Sequence, residues 1–246
     1  MSFRTYVINL DSQPIRWKEQ YEQLREVGIY PIRVPGVLGK DVPESELKKH
    51  FKHLTVNFMP MSMIGCGYSH KLVARKLLQT SDEIALVLED DAYPIFKNVS
   101  ELNEYIATLP PSTEWDYVSL HCDRNCKNNQ PFVSNAAQFI SRRGAINLLN
   151  MKINNHIDIQ TSRELRKLFS KNFFRTNEYS TEQSFNRYNY FINKYIPKPI
   201  NSDKTWLEHY SYKMFRLPFL NIEINKIEFI LIYISLICLT IATIVK

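Results

Sequence analysis

The chain has 246 residues, of which 44% are hydrophobic and 13% aromatic, and its formal net charge is +6. That length and apolar content suit one α/β domain with its own core. The basic excess comes without a zinc finger, an RNA-binding signature or an arginine tract, so nucleic acid is not the expected partner; simple solvation is the first reading, with an anionic substrate or membrane as the alternative.

Tyr6 to Leu10 reads as a first strand, followed by turn and capping groups at Asn9, Asp11 and Ser12. Pro14 suits a first helical turn, and Trp17, Tyr21, Leu24 and Val27 recur at helical spacing up to a stop at Gly28. Ile29 to Val34 reads as a second strand, which gives the strand–helix–strand opening of a layered α/β domain. Residues 36–64 are less regular: Glu44 to Phe51 fits a short helix, and Met59, Met61 and Met63 alternate as in a loop or short strand. Gly65-Cys66-Gly67 reads as a turn ahead of a helix from Ser69 to Leu78. Ile84 to Leu88 is the strongest strand, and Leu102, Tyr105, Ile106 and Leu109 mark a helix stopped by Pro110-Pro111. Asp116 to Leu120 and Ala136 to Ile140 read as strands, and Ser141 as the cap of a helix carrying Ala145, Leu148 and Leu149. Ile153 to Pro199 is expected as irregular helices and loops against the sheet.

Phe229 to Val245 is a run of seventeen residues without a charge. As a helix it rises about 25 Å, near the lower limit for a bilayer core. It is expected as a membrane anchor, with a buried strand or helix as the alternative. The amino terminus leads straight into a strand, so a single-pass tail anchor with the catalytic part in the cytosol is the favoured topology. The expected divisions are 1–199 for the main domain, 200–226 for a connector and 227–246 for the anchor. Cys66, Cys122, Cys126 and Cys238 do not form a secreted disulfide framework or a structural zinc set. They read as buried or free thiols, with a Cys122–Cys126 disulfide left open in an oxidising lumen.

The central clue is Ala85-Leu86-Val87-Leu88-Glu89-Asp90-Asp91, an apolar strand that runs into three carboxylates. Ligands of open α/β sheets collect beyond the carboxyl ends of strands. Adjacent acids repel unless solvent, a protein cation or a metal offsets their charge, and Mg²⁺ or Mn²⁺ accepts such oxygen ligands. In extended chain Glu89 and Asp91 point to one side and Asp90 to the other. A solvated acidic turn is the competing reading. Asn9 follows the first strand, where its amide could contact a nucleotide or close an Asx turn. Arg16 could lie near phosphates or in an exposed ion pair, and Trp17 reads as core packing.

The chain resembles glycosyltransferase family 25, the lipooligosaccharide and collagen sugar transferases. The resemblance lies in Tyr6-Val7-Ile8-Asn9-Leu10 with Arg16-Trp17, Arg33 to Gly39, Gly65-Cys66-Gly67-Tyr68-Ser69-His70, and Leu86 to Ala92. Weaker agreement follows at Trp115-Asp116-Tyr117, Ala137 to Ser141, Ile157-Asp158 and Glu182-Gln183-Ser184. The resemblance implies a GT-A-like nucleotide-sugar-binding fold with a central mixed sheet, to which the sequence adds the C-terminal hydrophobic helix. It implies a UDP-sugar donor, a glycan or hydroxylated protein acceptor and inversion at the anomeric carbon. Asp91 and Glu89 become the expected metal ligands, with Asp90 orienting a neighbour or assisting. Ser69 and His70 become donor-pocket candidates, against a helix-capping serine and a structural histidine. Inversion asks for an acceptor-side base, for which Asp158 is first and Glu182 second. Arg142 and Arg143 are candidate phosphate clamps. A metal-dependent nucleotidyltransferase or phosphohydrolase shares the acidic strand end, and an inactive membrane-anchored sugar-binding protein is the non-enzymatic alternative.

Overall fold

The computed structural model describes residues 3–121, 134–169, 172–176, 213–217 and 222–225, with Ile232, Ile234 and Ser235. The chain divides into two units, one of Met1–His53 with Met61–Asn177 and one of Leu54–Pro60 with Glu178–Lys246. In chain order, β1 (Arg4–Leu10), α1 (Pro14–Glu26) and β2 (Pro31–Gly36) come first. A 3-10 turn (Gly39–Asp41), α2 (Glu44–His50) and α3 (His53–Val56) precede α4 (Met61–Leu78). Then come β3 (Ile84–Glu89), β4 (Ala92–Pro94), α5 (Val99–Ala107), β5 (Tyr117–Ser119) and β6 (Ala137–Ser141). The first unit ends with α6 (Arg142–Asn150), α7 (Ile157–Glu164), β7 (Lys167–Phe169) and β8 (Phe174–Thr176). The second unit contains an antiparallel pair, β9 (Lys213–Leu217) with β10 (Ile222–Asn225), in which Ile222 faces Leu217.

The main sheet has six strands in the order β2-β1-β3-β6-β5-β7, with β6 antiparallel to both neighbours and β1 parallel to β2 and β3. A mixed α/β sheet of this kind is consistent with the GT-A-like expectation. The chain leaves β1 toward β2 on one side and returns past β1 to β3 on the other. Right-handed crossovers therefore place α1 and α4 on opposite faces. Val7, Leu86, Leu88, Phe139 and Val118 join Leu24, Leu102 and Ile106 in one core cluster, onto which Trp17 packs. With both faces covered, Ile84 to Leu88 are all buried, which explains the continuous apolar run. The reversal of direction also creates a crevice at the carboxyl ends of β1 and β3.

The helix stop at Gly28 forms as expected: its φ is 87°, and Ile29 N–H returns to the Leu24 carbonyl at 2.8 Å. The second strand begins later than expected, at Pro31. The larger difference is α4, which starts at Met61 and carries Gly65, Cys66 and Gly67 inside it. These glycines do not make a turn; they let the helix approach its neighbours. A Cβ on Gly65 would sit 2.4 Å from the Val37 carbonyl oxygen, and one on Gly67 2.9 Å from Ile153 Cδ1. Gly65→Ala is expected to destabilise the chain by about 2–3 kcal/mol, because backbone must move to admit the methyl group. Urea unfolding of the two proteins checks this, and equal midpoints would contradict the close approach.

The residue after His70 is turned away from the sheet end. Lys71 is fully buried, and its Nζ donates to His50 Nδ1 at 3.3 Å, the Leu149 carbonyl at 3.2 Å and the Met151 carbonyl. It thereby ties α4 to the carboxyl end of α6. Arg75 and Tyr68 from the same helix reach Glu46 on α2.

The expected membrane-spanning helix over 227–246 is corrected: among the described residues, no helix is long and apolar enough to cross a membrane. Of that stretch only Ile232, Ile234 and Ser235 are described, all exposed, and the remainder lies outside the described residues. The single-pass anchor, the membrane partner and the membrane localisation read from the sequence are corrected on the same ground: among the described residues no such helix supports them. A charge-free run of seventeen residues satisfies hydropathy, which reads composition and not whether the chain forms one continuous helix. Cys122, Cys126 and Cys238 also lie outside the described residues.

Candidate functional site

β3 delivers Glu89 at its last position, where β1 runs parallel to it with Ile8 in register with Glu89. Asn9, the next residue of β1, is thus beside the acidic turn. Its Nδ2 donates to Asp90 Oδ2 at 2.7 Å and to the Gln13 carbonyl at 2.9 Å, and its Oδ1 accepts from Arg33 Nε at 2.8 Å. These partners fix the amide orientation. Arg16, from the first turn of α1, completes the network: its Nη2 lies 2.8 Å from Asp90 Oδ1 and 3.4 Å from Asp91 Oδ2. Asn9 thus closes the turn onto Gln13 and holds Asp90.

The turn itself is held from α1. Gln20 is fully buried, and its Nε2 donates to the Glu89 carbonyl at 2.7 Å and the Ala92 carbonyl at 2.9 Å. Its Oε1 has no hydrogen-bond partner, so the amide serves through its donors alone. Gln20→Leu is expected to cost about 1–2 kcal/mol, because two buried carbonyls lose a donor while an unsatisfied oxygen is also removed. Chemical denaturation measures it, and a change below about 0.5 kcal/mol would mean the turn holds itself.

α4 presents His70 and Cys66 to the same strand end. His70 is buried, with Nε2 3.0 Å from Glu89 Oε1, and Cys66 Sγ lies 3.8 Å from that oxygen. Cys66, His70 and Glu89 place their ligand atoms within 4.8 Å of one another, a group able to hold a metal ion. Ser69 does not join them. Its hydroxyl accepts from Val37 N–H at 2.9 Å and donates to the Gly65 carbonyl at 2.7 Å, so it seats the helix on the loop after β2.

Asp158 enters from the first turn of α7, whose N-cap is His156. His156 Nδ1 accepts from Asp158 N–H at 3.4 Å and lies 3.7 Å from Asp158 Oδ1. Lys167 on β7 donates to Asn135 Oδ1 at 2.9 Å.

The charges of these groups are felt mutually. Burial pushes the Asp91 carboxyl up, and Glu89 and Asp90 add to this while Arg16 opposes it. Burial likewise raises Asp90, with Arg16, Asn9 and Arg33 pulling it down. Asp158 is raised by burial and by Glu89, against the pull of His156, His70 and Lys167. For Glu89, burial is outweighed by the hydrogen bond and charge of His70 and by His156, so its carboxyl falls below the ordinary value. Burial holds the Cys66 thiol well up, and burial lowers Lys167 to about 8.

Two buried carboxylate oxygens, Asp91 Oδ1 and Asp158 Oδ1, have no hydrogen-bond partner. A buried acid oxygen without a donor among like charges, as at Asp91, fits a divalent cation. The nitrogen of His70 and the sulfur of Cys66 gather on Glu89, and Asp91 follows two residues beyond it.

The structure thus gathers Asn9, Arg16, His70, Glu89, Asp90, Asp91 and Asp158 around the ends of β1 and β3. It leaves out Arg142, which donates to the Thr80 and Leu78 carbonyls, and Arg143, which pairs with buried Asp116. Glu182 lies outside the described residues. Cys66, Gln20, Arg33, His156 and Lys167 were not anticipated. The spacing of Cys66 and His70, four apart, could have revealed the first, had the glycines been read as helical.

Residues 3–217 match a family model described as "Glycosyltransferase family 25 (LPS biosynthesis protein)". A protein of Aedes aegypti described as "Glycosyltransferase 25 family member" is 30% identical over 106 residues, covering 37% of this chain and 17% of that protein. The chain therefore spans less than a fifth of the length of that relative. Among solved structures, a glycosyltransferase involved in the glycosylation of the major capsid of PBCV-1 is 13% identical, with a TM-score of 0.42 over 70% of this chain and 82% of that one. The apo form of glycosyltransferase GlyE from Streptococcus pneumoniae TIGR4 is 10% identical, with a TM-score of 0.39 over 89% of this chain and 59% of that one. Superpositions this loose do not constrain a site.

Proposed function

The chain belongs to glycosyltransferase family 25, and we propose that it transfers a hexose, galactose or glucose, from a UDP-sugar to a hydroxyl of a glycan or protein acceptor. The observation that carries this reading is the buried Asp91 Oδ1, left without a hydrogen-bond partner at the end of a core strand and flanked by the charges of Glu89 and Asp90.

A divalent ion, Mn²⁺ or Mg²⁺, would be held by Asp91 and Glu89 and would offset the charge growing on the departing diphosphate. The chain's own groups do the rest. Arg33 holds Asn9, Asn9 holds Asp90, and Asp90 in turn holds the Arg16 guanidinium, which would face the donor phosphates. His70 keeps Glu89 ionised by hydrogen bonding and charge. Asp158 accepts the proton of the acceptor hydroxyl as its oxygen bonds to the anomeric carbon and the bond to the nucleotide breaks on the opposite side. A single displacement inverts that carbon. Ser69 contributes by seating α4 on the loop after β2.

The test is incubation of the purified chain with Mn²⁺, UDP-galactose or UDP-glucose and a panel of hydroxyl acceptors. UDP release that requires acceptor, with an inverted anomer in the product, supports the reading. Nucleotide incorporation, phosphate release, or no turnover with any donor would overturn it.

A further inference from the structure

We infer that Cys66, His70 and Glu89 form a three-ligand site for a borderline cation of the zinc class, chemically distinct from the all-oxygen pair, Asp91 and Glu89, proposed for Mn²⁺ or Mg²⁺. Cys66 and His70 stand four residues apart on α4 and so share one face of the helix. That face meets the end of β3, where Glu89 Oε1 lies 3.0 Å from His70 Nε2 and 3.8 Å from Cys66 Sγ. Around a tetrahedral zinc ion, with bonds of about 2.0–2.3 Å, neighbouring ligand atoms stand about 3.3–3.7 Å apart. The three atoms lie within 4.8 Å of one another, so small side-chain adjustments complete that geometry.

The ligands are also held in place. His70 is 3% exposed. The Glu89 backbone is pinned by Gln20 and by its N–H bond to the Ala136 carbonyl at 2.8 Å. The glycine at 65 fixes α4 against the loop after β2, which sets the depth of Cys66. Thiolate, imidazole and carboxylate together suit Zn²⁺ and Co²⁺, whereas Mg²⁺ and Mn²⁺ favour oxygen ligands. Three protein ligands leave a fourth position open to water or to a ligand. Asp158 lies in the same electrostatic neighbourhood, since its carboxylate acts on Cys66.

On binding, the Cys66 S–H bond breaks, its proton goes to solvent, and the sulfur's electron pair forms the bond to the cation. One proton is released per ion, with no oxidation or reduction. Glu89 belongs both to this triad and to the proposed Mn²⁺ or Mg²⁺ set. Zinc in the triad therefore withdraws Glu89 and inhibits transfer. That consequence rests on the proposed function; the binding site does not.

The experiment is titration of the metal-free full-length chain with Co²⁺, read by absorption spectroscopy, and with Zn²⁺ by competition. The expected result is a near-ultraviolet thiolate-to-cobalt charge-transfer band with intense visible bands of a tetrahedral ion. Cys66→Ser should lose the charge-transfer band and weaken Zn²⁺ binding by about 10–100-fold, with Mn²⁺ binding followed by electron paramagnetic resonance unchanged. His70→Gln, with its fold checked by circular dichroism, should weaken Zn²⁺ binding to a similar degree. Weak octahedral bands without charge transfer, or Zn²⁺ affinity in both variants equal to that of the wild type, would overturn the site. These spectra need no turnover, so failure of the transfer reading leaves them unchanged.

Discussion

Asp91→Asn is expected to lower kcat/KM for metal-dependent transfer by about 1,000-fold, while the metal-free protein keeps or gains stability. The two effects have one origin. Asp91 sits at the end of a buried strand with Oδ1 unpartnered, and burial followed by the charge of Glu89 raises its carboxyl above the ordinary value of 3.8. Between the unfolded and the raised folded value, the folded chain binds more protons than the unfolded one. Its stability therefore falls as pH rises through that window. The amide has no proton to lose and escapes that fall, so the variant should gain on the wild type as pH rises from about 4 toward neutrality. Added Mn²⁺ should raise the stability of the wild type and leave the variant unmoved. Transfer assays and urea midpoints with and without Mn²⁺ decide the matter. Activity above about a tenth of the wild type would remove Asp91 from the cation set. A clear loss of metal-free stability would make it a structural turn acid.

Asp158→Asn is expected to reduce kcat by about 100- to 10,000-fold, with donor KM within about threefold. The carboxylate is half-buried on the first turn of α7, beside His156 and within reach of Glu89. Burial first, and Glu89 second, raise it, which makes it a stronger base than an exposed aspartate. The amide keeps shape and hydrogen-bonding capacity but cannot take the acceptor proton. Single-turnover rates separate the chemical step from donor binding. A rise in donor KM with kcat preserved would instead place Asp158 among the groups that hold the cation and donor.

The opening strand, helix and strand were legible because periodicity, a proline at the helix start and a glycine at its stop all agree. The acidic end of β3 was legible for a related reason, since only a strand covered on both faces reads as a continuous apolar run. The start of α4 was hidden. Gly65 and Gly67 carry the composition of a turn, and nothing local says that they exist to let helix backbone approach Val37 and Ile153. That misreading moved Ser69 from mid-helix to a cap and left Cys66 in a turn. β4, β7 and β8 have three residues each, too few for alternation to register. α7 has only eight residues, with polar groups and threonine inside it, so the helix bearing Asp158 read as irregular chain. Arg142 and Arg143 looked like phosphate clamps because an arginine's target is a tertiary fact; here it is backbone carbonyls and Asp116.

Lys71 is wholly enclosed, its amine clasped by the histidine of α2 and two carbonyls from the far end of α6. An ε-amine in that position is beyond the reach of acetyltransferases and of ester reagents for as long as the chain stays folded. Lys76, about one and a half turns further along the same helix, is exposed and open to both. Acylation at Lys71 therefore times excursions to the unfolded chain, whereas acylation at Lys76 reports only on the surface.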